Sequence, residues 1–258
     1  MPAVSNRPLY IYRILAKAWS FFVFGLAAVV LFFPVMPVML IIFHPAEKFQ
    51  KYTRRLTSFW FRLFVSMMRK LAIVELEAPD RDVFGKLESK IVVANHPSLL
   101  DIVMLISLIP NADVIVQGYV RKTVLGGVVS RLYILNTLNF DELIAACKAS
   151  LLKGNCMVIF PEGTRTPRNG EMRLKKGAAR LSLLTGAEIT AVHIGGTDKY
   201  GLGKKDPFLS FNHTEKYIYR VRIQKNINPE KYSGLEMQRA VRRLNAEILD
   251  IFQNPVNP

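Results

Sequence analysis

A chain of 258 residues, half of them hydrophobic, can bury a sizeable single core. Its net charge of +15 asks for anionic partners: lipid headgroups, a phosphorylated small molecule, an acidic carrier protein or nucleic acid. The two cysteines, Cys147 and Cys156, lie in apolar surroundings; they exclude a disulfide framework and read as reduced core residues of a cytosolic compartment.

Residues 20–43 (SFFVFGLAAVVLFFPVMPVMLIIF) form an almost unbroken apolar run, long enough to span a bilayer. The run is too long for a cleaved signal peptide, and no small-x-small site follows it. Pro34 and Pro37 are expected to break or kink a helix there. Arg7, Arg13 and Lys17 precede the run and Lys48, Lys51, Arg54 and Arg55 follow it, so a single span would put one basic cluster on the unfavoured side. The reading is a kinked, re-entrant helical hairpin with both ends cytoplasmic; a straight span is the alternative. Residues 48–71 continue as a basic helix in which Leu56, Phe59, Trp60, Leu63, Phe64 and Met67 recur at helical spacing. That is the composition of a helix lying in the membrane interface, although a surface helix packed on the domain would show it too. The expected division is a membrane-anchoring segment over 1–70 and one domain over 71–258.

From residue 71 strands and helices alternate. Residues 73–76 read as a strand, followed by a polar turn at 80–82 and an apolar strand ending in Ile91, Val92, Val93 and Ala94. Pro97 favours a helix start, because its fixed φ suits the first helical position and its missing N–H is not needed there. His96 is then the expected cap, with the helix running on through Leu99, Leu100, Ile102, Val103, Leu105 and Ile106. Downstream, 113–117, 133–135, 156–160, 188–194 and 217–223 read as strands, the last an edge or half-buried one. Residues 123–132, 141–152, 175–185 and 229–252 read as helices, the second and third closed by Gly154 and Gly186 and the last amphipathic. The alternation predicts an α/β fold: a mostly parallel central sheet flanked by helices, carrying an N-terminal membrane-embedded helical segment.

The chemistry concentrates in two stretches. In Asn95-His96-Pro97-Ser98-Leu99-Leu100-Asp101, helical side chains lean back toward the N-terminus, so Asp101 can reach the His96 imidazole. A carboxylate on one ring nitrogen fixes the tautomer and leaves the other nitrogen free as a base. The same pair could instead serve only a helix start, Asp101 favouring its positive end. Ser98 has no GxSxG elbow around it and is not read as a nucleophile. The second stretch is Phe160-Pro161-Glu162-Gly163-Thr164-Arg165. Arg165 offers a planar fork that can take phosphate bidentately, Gly163 lets a backbone approach a ligand, and Thr164 adds a hydroxyl. A Pro/Gly turn with Glu162 and Arg165 paired to each other is the plain structural alternative. Arg173, Lys175 and Lys176 precede a helix, a place where anions bind readily. Residues 196–205 (GTDKYGLGKK) lack the GxxxxGK[ST] spacing, and His193 and His213 are too isolated to suggest a metal site.

Together, NHPSLLD and FPEGTR, in this order and at this separation, resemble the glycerolipid acyltransferase family, typified by 1-acylglycerol-3-phosphate O-acyltransferases. The resemblance covers about residues 70–225. It implies direct acyl transfer to a hydroxyl, with His96 as general base and Asp101 as its orienter, and with no metal or cofactor. It implies acyl-CoA or acyl-carrier protein as donor and a lysophospholipid as acceptor, 1-acylglycerol-3-phosphate above all. The loop of Glu162, Gly163, Thr164 and Arg165 would then hold the acceptor. Arg121 and Lys122 fall in the region of the family's second motif and join Lys176 as candidate binding residues. The sequence also departs from the family's pattern: Gln117 stands where a lysine is usual, Asn136 or Thr137 where an arginine is, and Thr190-Ala191-Val192 where a proline is. These departures make an acyltransferase for a different lyso-lipid or alcohol the second reading. A basic, membrane-tethered binding protein without catalysis is the third, but no nucleic-acid motif is present and nucleic acid is not an expected partner. The expected location is a membrane, with the domain on the cytoplasmic face (the inner membrane in a bacterium) and membrane lipids as partners.

Overall fold

A computed structural model of the chain describes residues 6–43, 46–116, 134–135, 139–168 and 171–256. Asn6 opens the first helix, its Oδ1 accepting from the Leu9 N–H at 3.0 Å. That helix, α1 (Arg7–Val30), passes through a π-helical turn (Leu31–Val35) into α2 (Met36–Ile42). Of the break or kink expected at Pro34 and Pro37, no break occurs; the helix runs on through a local π-helical irregularity. Pro34 lies inside the π turn, where the hydrogen-bond ladder already changes register, and Pro37 lies in the first turn of α2, where no N–H is required. Residues 20–43 are therefore one arm of a helical hairpin and not the whole of it. The second arm is α3 (Ala46–Lys70), which packs back along α1 and α2.

Two faces of α3 do different things. Phe49, Phe64, Val65 and Met68 are buried, and the helix packs on α5 (Asp101–Leu108), with a buried ion pair from Arg54 to Asp113 at 2.8 Å. Phe59, Trp60 and Leu63 point outward and stay exposed. The helix packed on the domain and the helix with an outward aromatic face are one and the same.

The sheet has seven strands among the described residues: β1 (Val74–Glu77), β2 (Ile91–Ala94), β3 (Ala112–Val116), β4 (Ile134–Leu135), β5 (Cys156–Ile159), β6 (Ile189–Gly196) and β7 (Tyr217–Ile227). Their order is β1-β7-β6-β2-β5-β3-β4. Every neighbouring pair is parallel except β6 with β7, so β1 and β7 run against the rest. A short α4 (Arg81–Phe84) precedes β2; α6 (Phe140–Leu152), α7 (Gly177–Thr185) and α8 (Met237–Gln253) are the further α-helices among the described residues.

β2 explains the apolar run that announced it. It lies inside the sheet with both faces covered, so all four residues are buried. Val92 and Ala94 join the core beneath α3 and α5, whereas Ile91 and Val93 join the core beneath α6, α7 and α8. Three boundaries differ from expectation. α5 begins at Asp101 and not at Pro97. β7 is half-buried but is no edge, because β1 pairs with it. Residues 229–252 divide into a 3-10 turn (Pro229–Tyr232) and α8, with Gly234, a poor helix former, between them. The helix expected over 123–132 lies outside the described residues.

Candidate active site

β2 and β5 pair in parallel, so the loops that leave their C-terminal ends emerge side by side. The first loop opens at Asn95, whose amide donates to the Ile194 carbonyl at 3.0 Å and accepts from the Ile194 N–H at 2.7 Å. That pair pins the loop to β6 one residue before His96.

His96 Nδ1 lies 2.9 Å from Asp101 Oδ2. Asp101 is fully buried, and it also accepts from the Ser98 N–H at 2.6 Å and from the Ser98 hydroxyl at 2.5 Å. A carboxylate ringed by donors can only accept, so His96 carries its proton on Nδ1 and leaves Nε2 as the free base. The bonds to Ser98 close a turn that delays the helix, and Asp101 reaches His96 from the first residue of α5 rather than from its second turn. Across the cleft, Phe160 stacks on the imidazole with centroids 4.1 Å apart and planes 18° apart.

The second loop is tied to the first by Glu162. Its buried Oε1 accepts from the His96 N–H at 2.9 Å and from the Thr166 hydroxyl at 2.7 Å, while the Thr166 N–H donates to the His96 carbonyl at 2.7 Å. Glu162 therefore braces the two loops, and among the described residues it makes no ion pair with Arg165. Arg165 Nη1 donates to the carbonyls of Leu202 and Gly203 at 2.9 and 2.7 Å. Part of the expected fork is thus already engaged by the protein; the Nε–Nη2 edge has no partner among the described residues.

Gly163 has a φ of +67°, and a Cβ there would stand 2.7 Å from Lys175 Nζ. A side chain at this position would be strained and would displace that ammonium. Lys175 is accordingly the cation that leans over the loop. Lys176 sits exposed at the N-cap of α7 without a capping bond from its side chain, and Arg173 is exposed and pairs with Glu171 at 3.3 Å. Gln117, Arg121, Lys122, Asn136 and Thr137 lie outside the described residues.

His96, Gly163, Thr164 and Lys175 open onto a cavity of about 520 Å³ whose walls are otherwise mainly apolar, among them Ile144, Cys147, Val158, Ala178 and Leu181. Burial, together with the nearby charge of Asp113, pushes the Cys147 thiol up to about 12, so it lines the cavity as a neutral group. Burial likewise raises Cys156, to about 11. Among the described residues no three His, Cys, Asp or Glu side chains are placed to hold a metal. His193 is half-buried on β6 with its pKa lowered by burial, and His213 meets Tyr10 and Tyr200 edge-on, 5.4 Å from each.

Sequence reasoning gave no role to Phe160 or Thr166, named Lys175 only as one of three cations ahead of a helix, and set the 196–205 segment aside as a failed phosphate loop. That segment, with Asp206, is a clamp: Arg168 pairs with Asp198 at 2.5 Å and with Asp206 at 2.9 Å, and its carbonyls receive Arg165. No spacing in the sequence signals contacts of that kind.

Comparison with known proteins adds four findings. Residues 77–195 match the family model described as Acyltransferase. A chloroplastic 1-acyl-sn-glycerol-3-phosphate acyltransferase of Arabidopsis thaliana is 29% identical over 174 residues, 63% of this chain and 48% of that protein. A chloroplastic counterpart from Brassica napus is 28% identical over 186 residues, 68% of this chain and 52% of that protein. The chain thus spans about half the length of these two relatives. The crystal structure of the 1-acyl-sn-glycerophosphate acyltransferase from Thermotoga maritima superposes with a TM-score of 0.69 at 21% identity, covering 96% of this chain and 99% of that one, and shows a common fold.

Proposed function

We propose that this chain, whose residues 77–195 match the Acyltransferase family model, transfers a fatty acyl group from a thioester to the hydroxyl of a lysophospholipid, 1-acylglycerol-3-phosphate first among them. The observation that carries this reading is the oriented His96–Asp101 pair, with Nε2 free, at the mouth of a mainly apolar cavity.

The chemistry follows from the arrangement. A neutral hydroxyl is a weak nucleophile, so a positioned base must take its proton as the oxygen attacks the thioester carbonyl. His96 Nε2 takes that proton, and Asp101 stabilises the imidazolium through Nδ1–H. The tetrahedral adduct collapses with loss of the thiolate, which recovers the proton from His96. Ser98 is unsuited to an acyl-enzyme, because its hydroxyl is fully buried and bonded to Asp101. The donor's acyl chain would occupy the apolar cavity, and acyl-CoA and acyl-carrier protein both present such a chain on a thiol. Lys175 and the free edge of Arg165 are the cations offered to the acceptor's phosphate. The names of the relatives favour that acceptor. Membrane association is supported by one helix, Arg7–Ile42, that is long and apolar enough to cross a bilayer by length and composition.

Purified full-length protein should release thiol from a long-chain acyl-CoA when given 1-acylglycerol-3-phosphate, and His96→Ala should abolish that release. Unchanged turnover in His96→Ala would falsify the mechanism. Arg165→Lys keeps the charge and loses the planar fork, so the preference for phosphorylated over phosphate-free lyso-lipids should drop about tenfold or more. The ratio is the useful readout, since losing the Leu202 and Gly203 bonds slows every acceptor alike. An unchanged ratio would point to the neutral-acceptor reading. Acyl-CoA and acyl-carrier-protein thioesters compared side by side would assign the donor.

A further inference from the structure

Behind the His96–Asp101 pair lies a second tier of groups that the reaction scheme leaves unused. Ser98 Oγ is 2.5 Å from Asp101 Oδ1 and 2.8 Å from the hydroxyl of Tyr219. Ser98 and Asp101 have no exposed surface, and neither has Tyr219, which reaches them from β7. We propose that Ser98 and Tyr219 are positioning residues: acting in series, their hydroxyls fix the Asp101 carboxylate in the orientation that aligns His96. The inference rests on the acyltransferase reading.

The direction of each proton follows from chemistry alone. Asp101 can only accept, so the single proton of Ser98 Oγ goes to Oδ1. Ser98 Oγ then has only lone pairs to offer, and Tyr219 must be the donor in their shared bond. The chain therefore reads Tyr219 O–H to Ser98 O–H to Asp101 Oδ1, with Oδ2 receiving the His96 Nδ1–H. Burial, with the nearby Asp101 charge, holds the Tyr219 phenol far above its usual pKa, so it stays a donor. Without the Ser98 hydroxyl, Oδ1 would keep no donor, and the carboxylate could turn about its terminal torsion, which has broad wells.

Tyr219 is itself held in place. Lys199 Nζ lies 4.7 Å from the centre of its ring, and the ammonium donates to the carbonyls of Gly195 at 3.3 Å, Ile218 at 2.8 Å and Thr197. All three of its protons are engaged, so the cation reaches solvent only by giving up all three carbonyl bonds. Lys199 thereby joins the end of β6 to the start of β7 and sets the face against which the phenol rests. If Tyr219 only filled space, phenylalanine would serve as well; the hydroxyl needs another reason.

A double-mutant cycle on the full-length protein tests this, with 1-acylglycerol-3-phosphate and a long-chain acyl-CoA as substrates. Tyr219→Phe removes a bond between neutral groups and should lower kcat about 3- to 10-fold; Ser98→Ala removes a bond to a charge and should lower it about 10- to 100-fold. KM for both substrates should stay within about twofold, because neither hydroxyl meets substrate. In the Ser98→Ala background, Tyr219→Phe should cost less than about twofold more, since its action runs through Ser98. A readout without substrate accompanies the kinetics: the downfield proton resonance of His96 Nδ1–H, identified by its loss in His96→Ala, should move upfield in both single variants. That arm decides the proposal even if no acyl transfer is found, in which case the functional reading alone fails. Additive losses in the cycle, a rise in KM at constant kcat, or an unmoved Nδ1–H resonance in the single variants overturns the proposal. Should Ser98→Ala fail to fold, Tyr219→Phe decides through kcat and the resonance.

Discussion

One oxygen of Glu162 receives both the His96 N–H and the Thr166 hydroxyl, and those bonds hold the His96 backbone against the loop that carries Phe160 and Gly163. On the proposed acyl-transfer reading, Glu162 would act on substrate through the backbone it fixes. Glu162→Gln keeps an amide oxygen in the same place and removes the charge, weakening charge-assisted bonds to neutral ones by about 1 kcal/mol. Initial-rate measurements should show kcat lower by roughly fivefold at unchanged acceptor KM. A raised acceptor KM with kcat intact would return Glu162 to acceptor binding, the role suggested by its place in FPEGTR. The contrast with the neighbouring motif is instructive. His96 and Asp101 were legible because both partners are side chains within one short segment. Glu162 serves a backbone N–H that lies far away in the sequence, and a backbone partner leaves no mark on residue spacing. Arg165 is hidden for the same reason, its Nη1 being engaged by carbonyls of the 202–203 loop.

Among the elements, α6 and α7 wall the cavity that opens at His96, where the proposed acyl chain would lie. Cys147→Leu on α6 would fill part of that space. Each methylene kept out of an apolar site is worth about 0.8 kcal/mol, so excluding three should lower kcat/KM for the longest acyl-CoA by roughly fiftyfold while sparing shorter chains. A chain-length series measures this; a profile identical to wild type would mean the acyl chain lies elsewhere. On the same face of the sheet, α8 packs beside α7 and is fastened by Glu247, which accepts from Lys225 and Lys231 at 2.7 and 2.8 Å and from the Tyr232 hydroxyl. Burial works against its ionised form, but these three donors prevail and hold its carboxyl at about 2. With a folded pKa below the unfolded one, the stabilisation is complete above the ordinary carboxylate range and fades as pH falls toward about 2. Glu247→Gln should cost about 1–2 kcal/mol in denaturant melts at neutral pH, discounted because both lysines are half in solvent, and the gap should close in acid. The strands and most helices were readable because a residue's neighbours set its periodicity: β2 as a doubly covered run, β7 as an alternating one. Element ends were read less well. Side chains decide them case by case: Asp101 draws Ser98 into a turn ahead of α5, and the π turn absorbs Pro34.

At the scale of the whole molecule, α1 faces two environments. Tyr10, Ile14 and Phe21 pack against the main core, the Tyr12 hydroxyl donates to the Leu71 carbonyl at 3.0 Å, and Lys17, fully buried, donates to the carbonyls of Gly201 and Ser210. Its other face carries Leu15, Trp19, Phe22, Leu26 and Val29, and Phe33 in the π turn follows, three or four residues apart and all exposed. A contiguous apolar stripe of that length has no reason to face water, and a bilayer is the partner its chemistry fits. Deleting residues 1–45 would confuse two roles, because it would also uncover the core and free the 196–206 clamp. Substituting only the outer stripe separates them. Phe22, Leu26 and Phe33 are each more than half exposed, so replacing all three by glutamate should leave the melting temperature close to wild type. Each loses about 1.5–3 kcal/mol of burial in lipid, so affinity for vesicles should fall by at least about a thousandfold. Flotation of the variant with phospholipid vesicles measures the loss directly. If the triple variant still floats as wild type does, the stripe is not the membrane contact, and the basic, aromatic outer face of α3 with Trp60 and Arg62 would have to hold the protein at the surface alone.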